Sequence, residues 1–143
     1  MTTSARAVDA AASEVLRDRL RAALEPLAGL RLALVYGSLA ADRLTPESDL
    51  DVAVAADRPL SWEDRSTVAG QASLATGREV DLLDLRQAHG LILREALARG
   101  RLLFCHDRGL YSYLIQRMWD EQADFQPMVD RLLHRRLTRW IGA

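Results

Sequence analysis

Apolar residues recur near the start of the chain at Val8, Ala12, Val15, Leu16, Leu20, Ala23, Leu24 and Leu27. This spacing is helical and predicts a helix over residues 5–27, which Pro26 and Gly29 bring to an end. The pattern then changes period. Leu30–Tyr36 is an almost unbroken apolar run and reads as a strand. A second strand covers Leu50–Ala56 and stops before Pro59. Ser61, with Asp64 three residues on, caps a helix that runs to Ala75, with Gly77 just past its end. A third strand pattern spans Arg78–Leu85, and a helix over 88–99 ends at Gly100. Arg101–Cys105 is a short last strand, and Asp107–Asp120 and Phe125–Trp140 read as helices. Strands alternating with helices predict an α/β (α+β) fold, a small mixed sheet flanked by helices with a helical C-terminal tail. The strand order does not follow from the pattern.

Two of these strands carry polar residues in a telling arrangement. The first runs into Gly37-Ser38, and ten residues later the second opens on Asp49-Leu50-Asp51. Side chains alternate along a strand, so Asp49 and Asp51 share a face. Two carboxylates that close repel each other when ionised. Solvent relieves that repulsion in the simplest case. A magnesium ion, which takes oxygen ligands from carboxylates and substrate phosphates, relieves it in the functional one. Glycine after a strand lets the backbone approach a ligand. A short helix over Leu39–Arg43 would then begin at Ser38, offering unpaired N–H groups to phosphate.

A third carboxylate, Asp81, lies inside the third strand between Val80 and Leu82. An acidic group there needs a partner, because unpaired burial is costly. It is a candidate third metal ligand or general base, against the simpler reading of an ion pair with Arg78 or Arg101. Glu79 shares its face nearer the strand's start. Asp84 points the other way and is expected to be structural.

Gly37-Ser38, ten residues, Asp49-x-Asp51 and a later Asp81 resemble the polymerase-β-type nucleotidyltransferase superfamily, and the small size resembles its minimal nucleotidyltransferase (MNT) branch. The resemblance covers about residues 30–105. It implies a polymerase-β-like fold, two Mg2+ ions and ATP. Gly37 and Ser38, with Ser48, would hold the nucleotide. Asp49 and Asp51 would bind both ions, and Asp81 would bind the catalytic ion and help deprotonate an acceptor hydroxyl. Small MNT proteins resemble antitoxins that transfer AMP to a tyrosine of a HEPN-domain ribonuclease toxin, so a HEPN-type toxin is the expected partner and a hetero-oligomer the expected assembly. Two alternatives remain open: an antitoxin that only masks its toxin, and a small-molecule transferase of the aminoglycoside-modifying type.

Composition narrows the class. The chain has 143 residues, enough for one domain with a real core. With 49% apolar and 27% charged residues, it has the profile of a soluble globular protein. A net charge of −1 does not advertise nucleic acid or membrane. The apolar runs are too short to span a bilayer, and Met1–Arg6 does not open a secretory signal. The single cysteine, Cys105, rules out an internal disulfide and is expected to be buried in a reducing, cytoplasmic setting.

The nucleotidyltransferase domain is expected to span 1–106 and a helical extension 107–143. In the latter, Val129, Leu132, Leu133, Leu137 and Trp140 form one stripe and Arg131, Arg135 and Arg139 another. The apolar stripe would cover the domain's own sheet or meet a partner. Tyr36, Trp62 and Trp119 are expected to pack. Arg43 is expected in solvent, and His89, His106 and His134 lack metal-ligand spacing.

Overall fold

The computed structural model describes residues 2–121. The order is α1 (Thr2–Leu24), β1 (Leu30–Tyr36), β2 (Leu50–Ala56), α2 (Trp62–Thr76), β3 (Val80–Asp84), α3 (Gly90–Arg99) and β4 (Arg101–Cys105). A further helix, α4, is described over 108–121. The expected helix Phe125–Trp140 lies outside the described residues.

The four strands form one mixed sheet in the order β3-β2-β1-β4. β1 pairs antiparallel with both β2 and β4. β2 and β3 are parallel, and α2 is the crossover such a pair requires. β1 is apolar because it is central: every residue of the strand except Arg31 is buried. Its alternate residues feed two cores. Ala33 and Val35 join Leu50, Val52 and Val54 against Leu16, Leu20 and Leu24 of α1 and Val68 and Ala72 of α2. Leu32, Leu34 and Tyr36 join Ala53 and Ala55 on the other face, under Leu93, Ala96 and Leu97 of α3. Leu110, Leu114 and Met118 of α4, at the start of the C-terminal extension, pack into that second core. The sheet is thus a central layer between two pairs of helices.

Local chemistry sets the boundaries. α1 stops at Leu24, three residues earlier than its periodicity suggests. Leu27 N–H donates to the Leu24 carbonyl and Leu30 N–H to the Leu27 carbonyl, turning the chain into β1. Ser61 caps α2 by accepting from Asp64 N–H at 3.1 Å. Gly77 closes it at φ 69°, where a residue with a Cβ would be strained.

Asp84 is structural, as expected. It is 2% exposed, and its carboxylate accepts from Leu60 N–H at 2.8 Å and Arg86 N–H at 3.0 Å. Asp84→Ala would leave both donors without their acceptor. It should destabilise the domain by about 2 kcal/mol in urea unfolding while leaving nucleotide affinity in place.

Two expectations about packing are overturned. Trp62 is 81% exposed and Trp119 55% exposed. Trp62 is the first residue of α2, ahead of the turn that meets the sheet. Trp119 falls off the Leu110–Leu114–Met118 stripe that α4 buries. Cys105 is half-buried rather than enclosed, packed at the margin of the second core.

Candidate active site

β1 ends, and β2 and β3 begin, at the same edge of the sheet. Tyr36 stands opposite Asp51 in the antiparallel ladder, and Asp51 stands beside Asp81 in the parallel one. Paired residues project to the same side. Tyr36, Asp51 and Asp81 therefore share the face covered by α3 and α4, and Asp49 joins them by strand alternation. Asp49 and Asp81 are exposed and Asp51 is partly buried.

The exposure of Asp81 corrects the expectation of an acid enclosed in a strand. β3 is the edge of the sheet, and at its start the Asp81 side chain reaches water, so no burial cost has to be offset. The arginines expected to pair with it are engaged elsewhere. Arg78 donates to the carbonyls of Thr45 at 2.7 Å and Ser48 at 3.1 Å, and Arg101 pairs with Asp42. Among the described residues, no cation forms a salt bridge with Asp49, Asp51 or Asp81.

This leaves a concentration of negative charge. Burial, then the charge of Asp81, then that of Asp49, raise the pKa of the Asp51 carboxyl. Burial and the same field push the Tyr36 hydroxyl up to about 12, with Asp51, Asp81 and Glu95 contributing in that order. Glu95, on α3, is a fourth carboxylate near the site. Nothing in its local sequence marks it, because only the docking of α3 on the sheet brings it there. Among the described residues, no three His, Cys, Asp or Glu side chains are placed so that they could together hold a metal ion. The donor chemistry nevertheless suits a hard cation: three carboxylates on neighbouring strands, one of them raised in pKa by burial and then by the charge of the other two.

Gly37 adds a second constraint. It sits at φ 67°, and a Cβ built there would collide with Asp51 Oδ2. The Asp51 carboxylate and the glycine turn are thus in direct contact. Residues 37–42 form a turn, not the short helix expected over Leu39–Arg43. Ala41 N–H donates to the Gly37 carbonyl at 3.1 Å and Arg43 N–H to the Ser38 carbonyl at 2.9 Å. Asp42 then adopts φ 56°, which ends any helical continuation. Among the described residues, the N–H groups of Ser38, Leu39 and Ala40 have no hydrogen-bond acceptor. The turn keeps the unpaired donors of a helix start without the helix. The Ser48 hydroxyl is engaged within its own loop, with Thr45 Oγ1 at 2.7 Å and Thr45 N–H at 3.0 Å.

The family model for "Polymerase beta, Nucleotidyltransferase" matches residues 19–109, which is more than half of the chain. The chain belongs to the polymerase beta nucleotidyltransferase family. Its match takes in the glycine turn, all three aspartates and the whole sheet. No curated protein is similar enough in sequence to count as a match. Several solved structures are similar in fold. One is a toxin–antitoxin with AMP-PNP: 24% identity, TM-score 0.66, covering 82% of this chain and 98% of that one. Another is a tri-AMPylated Shewanella oneidensis HEPN toxin in complex with MNT antitoxin: 23% identity, TM-score 0.62, covering 85% and 98%. A third is the toxin–antitoxin MntA–HepT: 23% identity, TM-score 0.61, covering 84% and 98%. At these identities the likeness shows the nucleotidyltransferase fold. No helix among the described residues is long and apolar enough to cross a membrane.

Proposed function

We propose that this nucleotidyltransferase moves AMP from ATP to a hydroxyl, and that the acceptor is a tyrosine of a HEPN-type toxin for which the chain is the antitoxin. The observation that carries the transfer is the registration of Asp51 beside Asp81 with the Gly37 turn against them. A protein that only masked its toxin would have no physical use for that arrangement. The partner is supported by the solved structures of like fold, which contain AMP-PNP or an AMPylated HEPN toxin.

In this reading the unpaired N–H of Ser38, on the half-buried Gly37–Ser38 stretch, takes the nucleotide's phosphate oxygens. Asp49, Asp51 and Asp81 would hold magnesium, which would supply neutralisation of the negative charge that develops during transfer. Asp81, open to solvent, takes the proton as the hydroxyl attacks the α-phosphorus. The α–β phosphoanhydride bond breaks and pyrophosphate leaves. The residues act mainly by placing the reacting groups and shielding their charge. The Ser48 hydroxyl shapes the loop that leads into Asp49.

The test uses the purified chain, radiolabelled ATP, magnesium and a purified HEPN-type toxin. Label should appear on a tyrosine of that protein and vanish with chelator. Label on a small-molecule alcohol without any partner would redirect the proposal. Full neutralisation of the toxin by an Asp49→Ala/Asp51→Ala double variant would favour masking.

A further inference from the structure

The turn that offers its Gly37–Ser38 backbone to phosphate is held by side chains far from it in sequence. Leu39 and Ala40 are plugged into the first core beside Leu16 and Leu20 of α1. Arg17, one residue after Leu16, has a side chain only 12% exposed. Its Nη1 donates to the Leu39 carbonyl at 2.9 Å and to Asp42 Oδ1 at 2.9 Å. The other oxygen of Asp42 accepts from Arg101 Nη2, on β4, at 3.2 Å. Asp42 is the residue at φ 56°, the one non-glycine with positive φ among the described residues. An aspartate tolerates that conformation at a cost of about 1 kcal/mol, and it persists where surrounding contacts over-determine it. Here two arginines from opposite sides of the turn hold it.

The clamp acts on one end of the turn, and the other end is Gly37 and Ser38. Between them run the two hydrogen bonds from Ala41 and Arg43 back to Gly37 and Ser38. Fixing Leu39 and Asp42 therefore fixes the direction of the Gly37–Ser38 backbone. Arg17 touches neither Asp49, Asp51 nor Asp81 through any hydrogen bond of the described residues, so its influence runs through the turn.

We propose that Arg17 and Asp42 are positioning residues for the nucleotide, setting the turn so that its Gly37–Ser38 backbone meets the triphosphate. This rests on the nucleotidyltransferase reading of the same site. It predicts an effect on nucleotide binding more than on the chemical step. A backbone cradle that wanders loses its pre-organisation for the phosphates, whereas the carboxylates on β2 and β3 stay in register.

The experiment measures ATP KM and kcat, together with AMP-PNP binding by calorimetry in magnesium, for the wild-type chain, Arg17→Met, Arg17→Lys and Asp42→Asn. Arg17→Met should raise the KM and the AMP-PNP Kd about tenfold or more, with kcat changed by less than about threefold. Arg17→Lys keeps the charge and donors and should restore most of the affinity. Asp42→Asn should shift binding the same way, and combining it with Arg17→Met should give less than the sum of the two, because both weaken the shared Arg17–Asp42 contact. A role limited to general stability would lower the active fraction and melting temperature but leave KM alone. Unchanged KM and Kd in Arg17→Met, or a fall in kcat with no change in KM, overturns the proposal. Should Arg17→Met not fold, unchanged Kd in Asp42→Asn overturns it equally. A wild-type chain that binds no AMP-PNP overturns the underlying reading as well.

Discussion

Asp51→Asn should lose nucleotidyl transfer by about a thousandfold or more while melting at a higher temperature than the wild-type chain. The two effects have one origin. Asp51 is the most enclosed of the three carboxylates, and it carries the repulsion of Asp81 and Asp49 as well as the cost of burial. Its raised pKa makes it a liability for folding above that pKa and an asset for holding a cation.

The sign of the pH effect follows. Between the ordinary aspartate pKa, about 3.9, and the raised native value, the folded chain keeps a proton that the unfolded chain has released. Stability therefore falls as pH rises through that window, and the loss persists at neutral pH. Asp51→Asn removes it. Its advantage over wild type should be full near pH 7 and shrink as pH falls toward 4. Magnesium at ten times its Kd would add about 1.4 kcal/mol to wild-type stability, and it should stabilise the variant far less. Thermal melts across pH, with and without magnesium, check both statements. A variant that transfers AMP at the wild-type rate would end the assignment of this site.

Gly37→Val is the second large effect. The valine must take φ 67° or move the turn, and its Cβ meets Asp51 Oδ2. The left-handed conformation alone costs about 1–2 kcal/mol, more for a branched side chain. Escape from the collision displaces Asp51 or the Gly37–Ser38 backbone, and either disturbs the proposed meeting place of phosphate and cation. Activity should fall about a hundredfold or more, with weakened AMP-PNP binding and a lower melting temperature. The same direction in stability and activity separates this variant from Asp51→Asn, where they oppose. Wild-type affinity for AMP-PNP in Gly37→Val would remove the turn from the binding site.

Much of the fold was legible because the strand and helix periods are clean. Leu30–Tyr36, Leu50–Ala56 and Arg101–Cys105 are strands with the expected bounds, and Ser61 and Gly77 delimit α2. Those signals depend on neighbours a few residues apart, and so do the alternation of Asp49 with Asp51 and the glycine after β1. The misjudged features depend on something else. Trp62 and Trp119 were expected to pack because they are large and apolar, but the faces their helices bury are chosen by the sheet. Asp81 was expected to need a buried partner, but β3 is an edge strand.

By itself the sequence determined the elements, the glycine turn and an aspartate pair on one side of a strand, all of them consequences of local backbone geometry and side-chain alternation. Only the tertiary structure decided that β3 lies parallel to β2 with Asp81 beside Asp51, that Gly37 lies against Asp51, and that Arg17 and Arg101 grip the turn through Asp42. The physical reason is distance along the chain: strand register and ion pairs between segments tens of residues apart are set by how two cores pack on a shared sheet, and no local pattern encodes that choice.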